Sequence, residues 1–339
     1  MNREEKKEAK LWQALPDGRV RCELCSHYCI IPEGKKGICK ERQNFGGILY
    51  SLNYGRLIAA HLDPIEKKPL YNFLPGSSSF SLAMPGCNLR CAWCQNWDIS
   101  QANERNDPSR LKYVPPEDVF KQILRLKAKS IAYTYTEPTV FFEYTLELSK
   151  MSREEGIKNV YVSNGFMSEQ MLDMYLPWLD AANIDIKAFD DVVYRKYTGA
   201  RLQAVLDNCK RIKEAGVWLE VTTLLVPGVN ENHKQIEGLA TFILQELGEE
   251  TPWHISRYFP QAQFNKIGAT PVKTVFDAIA IGKRVGLKHI YAGNMSGAAD
   301  TYCPYCETAL ILRDRIFMQE NRLKNGHCPN CKNQIAGVW

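Results

Sequence analysis

Eleven of the twelve cysteines in this chain of 339 residues fall into three tight clusters, and this limits the folds open to it more than any other feature. Cys22, Cys25, Cys29 and Cys39 lie near the start, Cys87, Cys91 and Cys94 in one loop, and Cys303, Cys306, Cys328 and Cys331 near the end. Cys209 stands apart, within the helical pattern of residues 205–215. Such spacings read as disulfides in an exported chain and as metal ligands in one kept in a reducing compartment. Residues 1–10 alternate acid and base without an apolar signal segment, and no run is apolar and long enough to span a bilayer. Metal sites and a cytoplasmic location are therefore expected. The composition, 45% hydrophobic and 24% charged, is ordinary for a globular protein, and a net charge of +5 does not demand a nucleic-acid partner.

The clusters divide the chain into a Cys-rich region at 1–75, a middle at 76–300 and a tail at 301–339. The middle alternates β-rich runs with amphipathic ones. Strands are expected at 79–84, 131–136, 160–163, 184–187, 217–226 and 253–259, with a seventh at 289–292. Helix starts lie between them: Pro116-Glu117-Asp118, Ser168 as a cap, and Thr270-Pro271 leading toward Gly286. Strand–helix repeats with short connections imply parallel strands and right-handed crossovers. The fold class is thus α/β, either a complete or partial (β/α) barrel or an open doubly wound sheet. Polar residues at the ends of successive strands favour the barrel, because barrel sites form there.

Residues 85–98 read Pro-Gly-Cys-Asn-Leu-Arg-Cys-Ala-Trp-Cys-Gln-Asn-Trp-Asp. The Cys-x-x-x-Cys-x-x-Cys spacing offers three thiolates from one loop, which Pro85 and Gly86 turn out of the preceding strand. A four-iron cubane on three cysteines keeps one iron free of protein ligands, and an open position is where chemistry takes place. A zinc site closed by a remote fourth residue is the alternative for three cysteines alone. With Trp93 just before the third cysteine, the loop resembles the signature of the radical S-adenosylmethionine (radical SAM) superfamily. That resemblance implies a barrel of the radical SAM type and a [4Fe–4S] cluster on Cys87, Cys91 and Cys94. It also implies reductive cleavage of S-adenosylmethionine to methionine and a 5′-deoxyadenosyl radical that takes hydrogen from a substrate.

The middle is further similar to the activating enzymes of glycyl-radical enzymes, typified by that of pyruvate formate-lyase. Asn96 matches an asparagine that contacts the cofactor in those enzymes. Thr136-Glu137-Pro138 stands where they have Gly-Gly-Glu-Pro, the segment that receives the methionine amino group; Tyr135 and Thr136 replace the glycines here. Ser163-Asn164-Gly165-Phe166 is similar to their Thr-Asn-Gly-Phe, with Val162 in place of an aspartate. Asp185 and Lys187 share one strand face opposite Ile184 and Ile186, and are expected to meet a polar ligand rather than each other. His254, Ser256 and Tyr258 share a face of the sixth strand, where His254 is a candidate ribose or carboxylate contact. The resemblance implies cofactor contacts from Trp93, Asn96, Thr136, Glu137, Asn164, Asp185, Lys187 and His254. It also implies an electron donor such as flavodoxin or ferredoxin, and a protein glycine as hydrogen donor. A small metabolite or RNA is the alternative substrate. A non-catalytic iron–sulfur electron carrier is the third reading, against which Asn96, Asp185 and Lys187 count.

Over nearly the whole chain the sequence resembles the radical SAM protein of the AmmeMemoRadiSam system. The match rests on Arg21-Cys22-Glu23-Leu24-Cys25, His27-Tyr28-Cys29, Gly37-Ile38-Cys39, Asp63-Pro64-Ile65-Glu66-Lys67-Lys68-Pro69-Leu70-Tyr71 and Cys91-Ala92-Trp93-Cys94-Gln95-Asn96-Trp97. At the tail, Cys303-Pro304-Tyr305-Cys306 and Cys328-Pro329-Asn330-Cys331 read as two knuckles of a Cys₄ zinc ribbon, with iron or a second cluster as the alternative. Arg322, Lys324 and Lys332 allow that tail to touch a partner or nucleic acid. The head cysteines suit structural zinc or an auxiliary cluster equally, with His27 able to replace one of them.

Overall fold

The computed structural model describes residues 7–101, 107–295 and 299–339; the charged stretch read at 1–10 therefore lies mostly outside the described residues. Eight strands form the central sheet: Ala59–Pro64, Ser78–Ala83, Ser130–Tyr133, Lys158–Ser163, Ala181–Asp185, Trp218–Leu225, Trp253–Arg257 and Ile290–Gly293. They lie side by side in chain order, the first pair antiparallel and every later pair parallel. A parallel sheet that never reverses its order winds in one direction, which is the pattern of a partial (β/α) barrel and not of a doubly wound sheet. All seven expected strands are present. The eighth, Ala59–Pro64, belongs to the Cys-rich zone on sequence but pairs with the barrel sheet. Its Ala-Ala-His-Leu-Asp-Pro run lacks the alternation that marks a strand.

The helices form where their start signals stand. Pro116–Leu126 opens on its proline, the Ser168 hydroxyl accepts from Met171 N at 3.1 Å, and Val272–Val285 ends on Gly286 in the left-handed conformation. Their apolar faces cover the outer side of the sheet, where Phe80, Ile131, Tyr161, Ile184, Val221 and Ile255 point. Each large apolar side chain fully buried there contributes about 1.5–3 kcal/mol. The opposite, inner face is built differently. At the N-terminal ends of the strands, Ala132, Val160 and Ala181 meet Ile65, Leu70 and Phe73, which plug the barrel floor.

Both cysteine-rich ends dock on this barrel. The head holds two three-stranded antiparallel sheets and is pinned by Arg42, whose guanidinium donates twice to Glu143 at 2.9 and 2.7 Å with both side chains fully buried. The tail hairpin Ala309–Asp314 and Phe317–Asn321 separates the two knuckles, as the spacing suggests. The last residues return to the floor: Leu74 N donates to Val338 O at 2.7 Å and Val338 N to Asn72 O at 2.8 Å. Among the described residues, no helix is long and apolar enough to cross a membrane.

One buried group makes the fold acid-sensitive. His289, 3% exposed and with Nε2 unpartnered among the described residues, is held down at about 4 by burial. The unfolded chain takes up this proton near neutrality and the folded chain only near that lower value. Stability from this group is therefore complete above the unfolded value and is lost as pH falls, by about 3 kcal/mol in all. His289→Leu is expected to flatten that part of the acid loss, read as denaturant midpoints compared at neutral and acid pH.

Candidate active site

At the C-terminal ends of the strands, one cavity of about 470 Å³ is lined by Cys87, Cys91 and Cys94 together with the polar ends of the sheet. The local sequence explains why the loop takes its shape. Gly86 has φ +105°, and a Cβ there would lie 2.3 Å from Glu41 Cγ, so glycine is required where the chain leaves the strand. Arg90 N and Ala92 N then donate to Thr198 O and Tyr197 O at 2.9 and 3.1 Å, and Trp93, 2% exposed, packs against Tyr197 and Phe264. Anchored at these points, the loop turns its three thiols toward one space.

Donors converge on the sulfurs. Leu89 N reaches Cys87 Sγ at 3.3 Å, Asn164 Nδ2 reaches the same sulfur at 3.7 Å, and Ser100 Oγ lies 3.3 Å from Cys94 Sγ. Burial pushes the Cys87 thiol well up, with the Glu137 carboxylate adding to it, and pushes Cys91 up to about 12 against the pull of Lys187. Thiols in this state keep their protons at neutral pH until a metal ion displaces them into solvent.

Seven of the eight expected cofactor contacts line the cavity: Trp93, Asn96, Thr136, Glu137, Asn164, Asp185 and Lys187. They are not equivalent. Asn96 Nδ2 donates to Tyr135 O at 2.7 Å, and Thr136 Oγ1 to Met84 O at 2.6 Å. The Glu137 carboxylate is spent within the chain, accepting from Thr139 N, Thr139 Oγ1, Ser163 Oγ and Asn164 N at 2.6 to 3.1 Å. It ties the ends of two strands together, and burial pushes it up despite these donors. Tyr135, in the place of a glycine in the activating enzymes, has φ +64°, a conformation strained for an aromatic residue. Its hydroxyl donates to Asp63, and its ring takes Lys68 Nζ at 4.5 Å, so a knot from the Asp63–Tyr71 motif holds it.

Two expectations need correction. Asp185 and Lys187 do bond to each other, because the strand ends at Asp185 and the lysine is free to fold back. Burial pulls the ammonium down, but Asp185 outweighs it and holds Lys187 above its ordinary range. His254 does not line the cavity. It is the second residue of its strand and faces the floor, where its Nε2 lies 2.6 Å from Glu220 and its ring stacks on Tyr291. Shared face is not shared depth: Ser256, two residues on, lines the cavity, whereas His254 lies roughly 7 Å deeper.

Sequence reasoning assigned no role to Lys67, Asn183, Thr222 or Asn294, which also line the cavity. Period two from Asp185 points to Asn183, and the register places Thr222 beside Asp185; the other two carry no local signal. Asp185 Oδ1 and Thr222 Oγ1 are buried and lack partners among the described residues, which fits a cavity built for a polar ligand.

The tail holds a different kind of site. The sulfurs of Cys303, Cys306, Cys328 and Cys331 all lie within 4.8 Å of one another, with two pairs at 3.6 Å. This is close to the roughly 3.8 Å edge of a tetrahedron of sulfurs around one ion at about 2.3 Å, so the four can hold a metal ion. Glu307 and Lys332, each one residue after a knuckle, both turn left-handed.

A sequence model of the radical SAM superfamily matches residues 81–243. An uncharacterized protein of Methanocaldococcus jannaschii is 42% identical over 91% of this chain and 91% of its own length. The pyruvate formate-lyase-activating enzyme of Clostridium pasteurianum is 25% identical over 50% of this chain and 72% of its own. A crystal structure of a radical SAM methyltransferase from Sphaerobacter thermophilus superposes with a TM-score of 0.50 at 16% identity, covering 67% of this chain and 70% of that one, a likeness of fold.

Proposed function

Because this chain belongs to the radical SAM superfamily and is an enzyme of radical chemistry, we propose that Cys87, Cys91 and Cys94 hold a [4Fe–4S] cluster and that the cavity beside them takes S-adenosylmethionine. When bound, these groups supply the reductive cleavage of a carbon–sulfur bond to methionine and a 5′-deoxyadenosyl radical. The observation that carries this reading is the shared space: three thiols of one loop, the unpaired oxygen of Asp185 and the charged Lys187 open into the same cavity of about 470 Å³. Asp185 and Thr222 accept from or donate to the polar groups of the nucleoside or amino acid, Lys187 offers a cation to a carboxylate, and Asn96 fixes the strained Tyr135 carbonyl. The anchored loop and its apolar neighbour Trp93 exclude water from the thiols. The tail cysteines hold zinc as a structural ion.

Protein reconstituted anaerobically and reduced with dithionite is expected to form 5′-deoxyadenosine and methionine in equal amounts; the absence of both sinks the proposal. Asp185→Asn is expected to raise KM for S-adenosylmethionine about tenfold, the scale of one charged hydrogen bond, with iron content unchanged.

The substrate is a glycine of a protein partner, with the electron delivered by a carrier such as flavodoxin or ferredoxin. The relative named as an activating enzyme supports this, as do the exposed aromatics Trp97 and Phe259, which follow the cysteine loop and the strand Trp253–Arg257 on the same side of the sheet. Extract from cells grown on α-deuterated glycine, split by ultrafiltration, tests the point. The protein fraction is expected to pass deuterium to 5′-deoxyadenosine, whereas transfer from the filtrate alone assigns a small molecule.

A further inference from the structure

We infer that Cys22, Cys25, Cys29 and Cys39 hold a second [4Fe–4S] cluster, seated against the loop that carries Cys87. All twelve cysteines are free thiols, so these four are not paired as disulfides. They line one enclosed cavity, walled by Leu24, Ile31, Ile38 and Val140. Its volume of about 10 Å³ admits a sphere the size of a water molecule between the side chains.

That hollow separates two kinds of metal site. In the tail, the four sulfurs lie within 4.8 Å of one another, as a single ion at about 2.3 Å requires. Sulfurs that close leave no room between them for a water-sized sphere. Among the described residues the head sulfurs form no such close group, and the thiolates of a cubane stand farther apart than those of a single ion, because four irons and four sulfides separate them.

The surroundings suit an anionic cluster. The backbone amides of Leu24, His27 and Glu41 favour the thiolates of Cys22, Cys25 and Cys39, against the burial that raises all three. Arg42 lines the cavity with its side chain fully buried; Glu143 takes its terminal nitrogen, while its Nε has no partner among the described residues. A buried N–H without an acceptor beside four thiols is explained by an acceptor seated between them. His27 also lines the cavity, with its Nε2 2.8 Å from Asn88 O. Asn88 follows Cys87 and also lines the head cavity, so one residue borders both cysteine sites.

The test uses the full chain and separates this inference from the proposal for Cys87, Cys91 and Cys94. After anaerobic reconstitution with ferrous iron and sulfide, wild type is expected to carry about eight acid-labile sulfides, and Cys87→Ala/Cys91→Ala/Cys94→Ala about four. Zinc or single iron ions, at the tail or elsewhere, bring no sulfide and so do not enter the count. Cys22→Ala/Cys25→Ala, with the other site intact, is expected to retain about four, which covers the case in which the triple variant does not fold. Wild type with about four sulfides, all lost in the triple variant, overturns the second cluster. The same total retained in the triple variant supports the head cluster and sinks the other site.

Discussion

Cys87→Ala is expected to reduce formation of 5′-deoxyadenosine to background while the protein stays folded. The sulfur of Cys87 receives Leu89 N and Asn164 Nδ2, and the loop around it is held by contacts that do not involve the thiol, from Arg90, Ala92 and Trp93. Truncation to alanine thus removes a ligand and leaves the scaffold. No substitute is at hand: Cys91 and Cys94 already face the cavity, and no other cysteine lines it. On the proposed reading, a cubane left with two protein ligands would be lost or displaced, and the reductive cleavage it would supply would go with it. The measurement is product formation under dithionite in anaerobic buffer, with thermal unfolding as the control. Turnover near that of wild type would remove Cys87 from the site.

Arg313→Met is expected to destabilise the protein by about 3–5 kcal/mol, the cost of stripping one partner from a buried ion pair. The Arg313 side chain, fully buried, donates to Ala299 O and Thr301 Oγ1 at 2.9 Å and to Tyr71 O at 2.7 Å, and faces Glu66 at 3.4 Å. Methionine fills the volume but leaves those acceptors unsatisfied. The pH dependence identifies the cause. Burial already raises Glu66 above the ordinary carboxylate range, and Arg313 is the largest influence holding it down. In the variant the folded state binds that proton more tightly still. A carboxyl raised on folding gives stability that is fully present at low pH and lost as pH rises, so the deficit should grow from acid to neutral pH. A deficit that is flat with pH would show that Glu66 stays satisfied without Arg313. Because Tyr71 N donates to Glu220, which in turn binds His254, the variant also loosens the barrel floor beneath the cavity.

The three-cysteine loop, the parallel strands and the tail knuckles were all readable because each rests on local spacing. Cys-x-x-x-Cys-x-x-Cys, alternation by two and Cys-x-x-Cys pairs carry their geometry within a few residues. Asp185 and Lys187 were found as cavity residues on the same basis, while their mutual bond was not, since it depends on where the strand stops. His254 shows the limit of periodicity, which assigns a face but not a depth. The floor residues carried even less signal: Glu220 accepts from Tyr71 N and Asn72 N, 149 and 148 positions away, and Arg313 meets Glu66 across 247.

The amino-acid sequence by itself determined that this chain builds a (β/α) sheet with three thiols at the mouth of its strands, because turn chemistry, strand period and ligand spacing act over short range. Tertiary structure alone decided which polar residues are consumed below the cavity, as His254 and Glu220 are. It also decided that the tail locks the barrel floor and that the four head cysteines line one small cavity. Those outcomes follow from burial, and a buried charge takes its partner from whatever the fold brings near, at any distance along the chain.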